Sequence, residues 1–398
     1  PVWLPLPDAF LAGLGICVGL IPCFTYFLNK RGPPIPILPL TGIFYVVFFA
    51  LPVFLLDPSY WETSPTVSGE KVGLSFDKLN TTAIALVLAG ITLMLVGHAI
   101  YNRLLKSRTP QLSLPQPREP RQYRLLIWPL LIAHFAHIFI PQLSQITSIG
   151  QLLSPAGYLA YAMFFFLWVK KLLPVPQAIT VFLVLLPIEL IHVFSGGLLT
   201  EVIYFGVFFA ILALLARKFR FAVTLIVGAV LMLLVFYPAV KAYRMQTWSQ
   251  QGKELNTLAK LSLFKDVTTQ RWLNPQEQGD PAKIEEPLIR RISLIALFSF
   301  VTEKTPKTVP HLHGESYRPL LTSFVPRLIW SGKPEERMGQ TFGHRYKLLH
   351  PEDKITSINV PWIVEMFANF GALGVLIGMT LVGLFLAFLE AVLNRSEM

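Results

Sequence analysis

The sequence is poor in charged residues. Only 14% of its 398 residues are Asp, Glu, Lys or Arg, whereas soluble domains usually contain about 25%. Hydrophobic residues make up 53% of the chain and include 30 phenylalanines. This composition excludes an ordinary cytosolic enzyme. Several apolar stretches approach the length of about 20 residues that crosses a bilayer as a helix, so the sequence predicts a membrane protein.

Cysteines are few, and the common phosphate-binding and nucleophile motifs are absent. Cys17 and Cys23 lie in or beside the first apolar stretch, so nothing supports a disulfide framework, a zinc site or a thiol mechanism. The sequence has no Gly-rich phosphate loop and no Gly-x-Ser-x-Gly motif, which argues against an ATP-driven pump and that class of hydrolase. His311 and His313 form a lone His-x-His pattern without a second ligand cluster. We therefore expect neither a metal ion nor a cofactor.

The apolar stretches predict an all-α polytopic membrane protein with about nine transmembrane helices and one large extracytoplasmic loop before the last helix. Residues 1–240 would contain transmembrane helices one to eight, residues 241–360 the large loop with short interfacial helices, and residues 361–398 the final helix and a cytoplasmic C-terminus. The chain begins with Pro1 rather than Met, so an upstream segment could precede it. The predicted helices are 9–28, 35–56, 81–101, 125–140, 152–169, 177–194, 198–216, 219–240 and 361–393.

Basic residues in the short loops predict the orientation of the helices. The loops after the first, third, fifth and seventh helices are rich in Lys and Arg, whereas the loops between them carry mixed charges or almost none. Because short cytoplasmic loops retain an excess of basic residues, we expect the first group inside, the start of the chain outside and its end inside. The basic residues of these loops are Lys30, Arg31, Arg103, Lys106, Arg108, Arg118, Arg121, Arg124, Lys170, Lys171, Arg217, Lys218 and Arg220.

Residues 241–360 form a connection of about 120 residues, which is too long for a passive linker. Loops longer than about 60 residues cross the membrane regardless of their charge, so the basic residues of this loop are compatible with an extracytoplasmic position. Arg290 and Arg291 precede an apolar run at 292–301 that is too short to span and predicts an interfacial or buried helix. Arg binds phosphate oxygens bidentately, so a lipid diphosphate or an anionic glycan is the expected partner, and nucleic acid is not.

Ionisable residues within predicted helices are functional candidates, because placing them in a membrane is costly. Glu189 and His192 lie three residues apart near the outer end of the sixth helix, and His134 and His137 have the same spacing in the fourth. Together they predict a polar cavity that opens outward. The alternative is that they pair with one another or with interfacial water. His98, near the inner end of the third helix, is expected to reach the lipid headgroups.

The most specific pattern lies in the large loop and at the start of the last helix. The loop contains Gly314-Glu-Ser-Tyr317 and then a proline–arginine to lysine–proline segment at 322–334, and residues 361–371 lead into the last helix. In these segments, and in its topology, the chain resembles the bacterial O-antigen and exopolysaccharide repeat-unit polymerases, the Wzy-type family of multispanning membrane glycosyltransferases. The resemblance implies matches at Pro326, Arg327, Trp330, Lys333, Pro334, Glu365, Asn369, Phe370, Gly371 and Gly374.

The chain departs from that family at one helix connection. Related polymerases often carry an arginine after a serine–glycine pair, whereas Ser195 and Gly196 are followed here by Gly197. The role of that arginine would then be absent or supplied by another residue, such as Arg290 or Arg291.

The resemblance implies transfer of a growing glycan from an undecaprenyl-diphosphate carrier to an acceptor repeat unit, on the outer face of the bacterial plasma (inner) membrane. This reaction needs a base for the acceptor hydroxyl and cations for the departing diphosphate. Because the lipid diphosphate is the leaving group, neither a nucleotide sugar nor a metal ion is required. The implied partners are an undecaprenyl-diphosphate-linked oligosaccharide and membrane lipids, and the binding of a chain-length regulator is left open.

The expected catalytic residues fall into two groups. Cations would hold the diphosphate, and an acidic or imidazole side chain would accept the proton of the acceptor hydroxyl. The sequence leaves three alternatives for this base. The predicted catalytic residues are Arg327 and Lys333 as cations, and Glu365, Glu315 or His313 as the base.

The expected substrate-binding residues combine cations, aromatic rings and polar groups. Aromatic rings would stack on sugars, although anchoring in the membrane interface is an equally good interpretation of them. Asn369 would share a helical face with Glu365, four residues before it. The predicted substrate-binding residues are Arg290, Arg291, Tyr317, Trp330, Asn369, Glu189 and His192.

Two other functions remain open at this point. An enzyme similar to the O-antigen ligases would use the same donor with a different acceptor. A transporter or flippase for the lipid-linked glycan would use the large loop as a gate. Transporters often show duplicated halves and broken helices near the membrane midplane, and neither is evident in the sequence.

Overall fold

The computed structural model describes residues 6–28, 36–55, 66–67, 70–71, 79–109, 120–140, 147–195, 199–216, 218, 220–228, 231, 243, 246, 257–273, 293–323, 325, 330, 332–333, 337–353 and 357–393. Within these ranges the regular structure is almost entirely helical, which confirms the prediction of an all-α class. The exception is a two-residue antiparallel ladder in which Thr66–Val67 (β1) pairs with Glu70–Lys71 (β2).

The chain forms two compact units. Unit 1 comprises Pro1–Leu114 and Ala282–Met398, and unit 2 comprises Pro115–Pro281. The predicted large loop is therefore divided between the units at about residue 281. The helices in chain order are α1 (Leu6–Leu28), α2 (Ile37–Tyr45), α3 (Leu51–Leu55), α4 (Thr81–Ile100), α5 (Pro120–Phe139), α6 (Thr147–Val169), α7 (Val175–Thr180), α8 (Leu186–Ser195), α9 (Leu199–Leu215), α10 (Thr257–Leu273), α11 (Leu294–Lys304), α12 (Arg318–Ser323), α13 (Met338–Arg345) and α14 (Trp362–Leu393).

Short turns of other helical types complete these elements. One π-helical turn joins α2 to α3 and another joins α7 to α8, so each of these two pairs forms one continuous helical segment. A third π-helical turn extends α4. The π turns are Val46–Ala50, Tyr101–Leu105 and Val181–Leu185, and the 3-10 turns are Lys106–Arg108 and Glu315–Tyr317.

Several of these helices are suited to a membrane. Among the described residues, four helical segments are long and apolar enough to cross a bilayer, and three shorter helices are also apolar. All seven overlap helices predicted from the sequence, which supports a membrane protein. The number of nine spans stays a prediction. Within the eighth predicted helix, 219–240, residues 220–228 are helical, and residues 229–230 and 232–240 lie outside the described residues. The four long segments are Ile37–Phe54, Thr81–Arg108, Val175–Val193 and Trp362–Leu393, and the shorter helices are Phe10–Thr25, Pro155–Val169 and Tyr204–Leu214.

Unit 1 is built around the contact between α4 and α14. The side chain of Asn80 caps the start of α4, where a helix leaves backbone N–H groups without helical partners. Farther along, a Cβ atom on Gly97 would collide with the carbonyl oxygen of Thr380, and one on Gly383 with that of Met94. Small residues of this kind allow two membrane helices to approach closely. The close approach holds α14 against α4.

The apolar run at 292–301 lies in the core of unit 1 as helix α11. Ile295, Phe298 and Val301 are 0% exposed. The Nδ2 group of Asn80 donates to Thr302 Oγ1 at 3.0 Å, which connects the end of α11 to the start of α4. Burying these side chains removes apolar surface from water and so stabilises this part of the loop against α4 and α14.

Helix α14 contains an interruption that shapes the site described below. Gly371 has φ 65° and ψ −151°, which are not helical values. This region of backbone conformation is essentially restricted to glycine. The interruption separates a short N-terminal part of α14, which ends at Phe370, from the long apolar part that packs against α4.

Candidate functional site

Two of the three segments that carry the family resemblance, the motif at 314–317 and the start of the last helix at 361–371, meet in unit 1. The backbone N–H groups of Leu312 and His313 donate to the carbonyl oxygens of Ala368, at 2.9 Å, and Asn369, at 3.2 Å. Both carbonyl groups lie in the turn that precedes the interruption of α14. We call residues 311–317 together with residues 365–371 the loop–α14 site.

Asn369 connects the two segments through its side chain. It is 0% exposed. Its Oδ1 accepts the N–H of Gly314 at 2.8 Å, and its Nδ2 donates to Ser316 Oγ at 2.7 Å and to the carbonyl oxygen of Glu365 at 2.8 Å. The amide therefore positions the loop on the helix. Its predicted contact with substrate stays a prediction.

Glu365 is half-buried and oriented by this network. The hydroxyl group of Ser316 donates a hydrogen bond to Oε1 of Glu365, and the two oxygen atoms are 2.7 Å apart. Because Asn369 donates to the same hydroxyl oxygen, the hydroxyl is left to act as the donor toward Glu365. No described residue donates a hydrogen bond to the second carboxylate oxygen, Oε2. That oxygen is consequently available to accept a proton or a hydrogen bond from a substrate.

Tyr317 lies beside the same carboxylate. Its ring stacks on Phe370, with centroids 6.3 Å apart and planes inclined by 23°. Burial, and secondarily the negative charge of Glu365, raises the pKa of Tyr317 to about 12. Its hydroxyl therefore remains protonated at neutral pH and can donate a hydrogen bond.

The other two candidates for the base have different surroundings. The side chain of Glu315 is 57% exposed, and its Oε2 lies 3.3 Å from Nη1 of Arg345. The Nη2 group of Arg345 donates to the carbonyl oxygen of Pro310 at 3.4 Å. His313 is exposed and has a positive φ of 48°. Of the three candidates, Glu365 alone combines partial burial with an orientation fixed by hydrogen bonds within the site.

The predicted cations are described only in part. Arg327, Arg290 and Arg291 lie outside the described residues, so their roles stay predictions. The Nζ group of Lys333 donates to the carbonyl oxygen of Val325 at 3.4 Å, and its backbone N–H donates to that of Trp330 at 3.1 Å. Trp330 is 40% exposed, which leaves much of its indole ring accessible.

The ionisable residues of the fourth and sixth predicted helices belong to unit 2. The Nε2 atom of His134 and the Oε2 atom of Glu189 are 2.8 Å apart, and these residues are 5% and 6% exposed. The ring of His134 lies against the backbone of α6 at Gly157, where a Cβ atom would collide with it. This close pair favours the interpretation in which the residues bind each other. Substrate binding by Glu189 and His192 stays a prediction.

A further pair of ionisable residues lies in unit 1. The Nε2 atom of His98 is 2.8 Å from Oε2 of Glu390, and both side chains are 15% exposed. His98 therefore contacts a carboxylate of α14, and this pair joins α4 to α14. Among the described residues, no group of three or more His, Cys, Asp or Glu is arranged to hold a metal ion.

One member of the site, Ser316, and one residue that contacts the site, Arg345, were not predicted from the sequence. Ser316 lies inside the quoted Gly314-Glu-Ser-Tyr317 motif, and that motif was the available signal for it. Arg345 had no such signal, because its partner Glu315 is 30 positions earlier in the chain and the two meet only in the folded structure.

Comparison with known protein families gives a match over most of the chain. A family model described as Domain of unknown function (DUF8712) matches residues 72–395, which is about four fifths of the chain. The matched region contains the whole loop–α14 site. No curated protein matches the chain. No solved structure matches it either.

Proposed function

The chain belongs to the family described as Domain of unknown function (DUF8712), and because that description names no activity, we propose a function from the residues themselves. The protein is a polymerase of lipid-linked oligosaccharide repeat units. It transfers the growing glycan from an undecaprenyl-diphosphate carrier to an acceptor repeat unit on the outer face of the membrane. It is a glycosyltransferase that uses no nucleotide sugar.

One observation carries this proposal. The Gly314-Glu-Ser-Tyr317 motif and the segment 361–371, two parts of the pattern that resembles the polymerases, are joined by the Asn369 side chain around one carboxylate, that of Glu365. A half-buried carboxylate with one oxygen held by Ser316 and the other available is suited to general-base catalysis.

The reaction assigned to the site is a single displacement. Glu365 accepts the proton of the acceptor hydroxyl as the oxygen bonds to the anomeric carbon of the donor sugar. The bond from that carbon to the diphosphate breaks, and the diphosphate leaves with the electron pair. Arg327 and Lys333 would stabilise the negative charge that develops on the diphosphate. Tyr317 and Trp330 would offer ring faces to the sugars.

The proposed arrangement in the membrane is the one predicted from the sequence. About nine spans place the start of the chain outside and its end inside, with residues 241–360 on the outer face of the bacterial plasma membrane. The loop–α14 site would then lie where α14 emerges from the outer leaflet. This position gives the site access to a carrier lipid anchored in that leaflet.

The test is a reconstituted reaction. Purified protein in liposomes receives undecaprenyl-diphosphate-linked oligosaccharide without any nucleotide sugar, and the lipid-linked products are separated by size. A ladder that grows by whole repeat units supports a polymerase. Intact substrate with folded protein and no ladder contradicts it. Transfer to a different added acceptor would then indicate a ligase, and movement of the same lipid between leaflets would indicate a transporter.

A further inference from the structure

A cavity lined by polar and apolar side chains lies in unit 2, and none of its lining residues belongs to the residues assigned to glycan transfer. Its volume is about 240 Å³, and Arg121, Arg124, Leu125, Trp128 and Gln177 line it. The first four are spaced three, four and seven residues apart on α5, so they share one helical face. Gln177 comes from α7 and adds a side-chain amide to the lining. The cavity is therefore built from two helices.

The charges around this cavity are unbalanced. Arg121 and Arg124 lie in the first two turns of α5, which has no acidic residue in its first turn. The N-terminal end of a helix is itself electropositive, so the helix adds to the positive charge of the two guanidinium groups. Neither arginine forms an ion pair with a described residue. An anion in the cavity would neutralise both groups.

Arg124 provides a second observation. Its Nε atom is buried and has no hydrogen-bond partner among the described residues. Buried donors are normally paired in folded proteins, so an unpaired donor on a side chain that lines the cavity is consistent with a ligand that accepts hydrogen bonds. A guanidinium group matches the oxygen atoms of phosphate particularly well, because it presents donors in a planar fork.

The other lining side chains indicate which class of phosphate-containing ligand the cavity would bind. Trp128 and Leu125 add apolar surface next to the arginines, and α5 continues as a mainly apolar helix. Tryptophan is enriched where a membrane meets water, and basic pockets between membrane helices bind lipid headgroups. The volume is below the roughly 300–1,000 Å³ of a site that encloses a whole small molecule, which suits a headgroup whose acyl chains remain in the bilayer.

We propose that Arg121, Arg124 and Gln177 bind the phosphate group of an anionic lipid headgroup, and that Trp128 and Leu125 contact its apolar part. The site shares no residue with the glycan-transfer site, and the proposal does not depend on that function. A free phosphate ion shares the same chemistry, and the experiment distinguishes the two sources.

The experiment measures lipid retention by the purified full-length protein. Detergent-solubilised protein is titrated with phosphatidic acid, with zwitterionic phosphatidylcholine and with inorganic phosphate, and bound molecules are counted by native mass spectrometry. We expect retention of phosphatidic acid in preference to phosphatidylcholine. In the Arg121→Gln/Arg124→Gln variant the affinity for phosphatidic acid should fall about tenfold or more, since hydrogen bonds between charged partners are among the stronger ones.

A matched variant controls for the loss of two positive charges. Lys218→Gln/Arg220→Gln removes two exposed cations from the same unit, also at the start of a helix, without touching the cavity. Its affinity for phosphatidic acid should equal that of the wild type. Equal affinity in all three proteins, or an equal loss in both variants, overturns the proposal. Binding of inorganic phosphate without retention of phosphatidic acid overturns the assignment to a lipid.

The single variant Arg121→Gln keeps the test valid if the double variant does not fold. Arg121 is exposed, so its replacement leaves the packing of α5 intact. It should weaken phosphatidic acid binding by a smaller factor than the double change, and wild-type affinity in a folded Arg121→Gln protein counts against the site.

Discussion

Glu365 and Glu315 are chemically identical side chains in different surroundings. Glu365 is half-buried and its Oε1 accepts a hydrogen bond from Ser316, whereas Glu315 is 57% exposed and pairs with Arg345. An exposed ion pair of this kind contributes little to stability and is screened by salt. The two residues therefore form a matched set for testing which carboxylate acts as the base.

We predict that Glu365→Gln abolishes ladder formation in the reconstituted reaction, because general-base catalysis typically contributes about 10²–10⁴-fold to a rate. Glutamine keeps the shape of the side chain and can still accept the Ser316 hydrogen bond, so the protein should accumulate normally. Glu315→Gln should retain most of the wild-type rate. Equal losses in the two variants, measured as initial rates, would argue against Glu365 as the base.

The cations give a second prediction at this scale. Arg327→Ala and Lys333→Ala should each eliminate polymer while the protein still accumulates in the membrane, because a group that neutralises transition-state charge contributes about 10²–10³-fold. Product length and membrane-protein level are measured together. Arg318→Ala, which removes an exposed cation from the neighbouring α12, is the control. Full-length polymer from both test variants would contradict their assigned role.

At the scale of elements, we expect the interruption of α14 at Gly371 to be required for the stability and the activity of the protein. Gly371→Ala should destabilise the protein by about 1–3 kcal/mol, because residues with a Cβ atom rarely adopt this backbone conformation. Space is not the limit, since a Cβ atom would lie 3.4 Å from the His311 ring. The melting temperature should fall, and ladder formation should fall with it.

Gly19→Ala is the control for this substitution. Gly19 lies within α1, where an added Cβ atom would make an ordinary contact of 3.8 Å with Ile91. Alanine is favoured over glycine in a helix by roughly 0.5–1 kcal/mol, so this variant should keep or raise the melting temperature. A Gly371→Ala protein as stable and active as Gly19→Ala would show that the interruption is dispensable.

The positions of elements were more predictable than their contacts. The predicted helix 81–101 corresponds to α4 and the start of its π turn. This prediction was possible because a long apolar run is a local property of the sequence and does not depend on which other segments the helix contacts. The interruption at Gly371 was not predicted, since a glycine in an apolar helix also serves close packing, as Gly383 does. The network around Asn369 joins residues more than 50 positions apart, and no local pattern encodes which of them meet.

At the scale of the whole molecule, the membrane arrangement makes a prediction about accessibility. In a Cys17→Ala/Cys23→Ala background, Lys307→Cys should react with a membrane-impermeant maleimide in intact cells, because the large loop is assigned to the outer face. Arg108→Cys, placed in a short basic loop, should react only after the membrane is opened. Both positions are exposed, so burial does not explain a difference. The reverse labelling pattern would contradict the orientation.

The core of unit 1 extends beyond the region that the family model matches. Ile16, Tyr45 and Phe49 precede residue 72, yet they belong to the same apolar cluster as α14, and the hydroxyl of Tyr45 donates to Met379 Sδ at 3.7 Å. A fragment that starts at residue 72 would keep every residue of the loop–α14 site and lose the helices that cover part of α14. We therefore expect such a fragment to expose apolar surface of α14 and to be less stable than the whole chain, although it would contain every residue of the site.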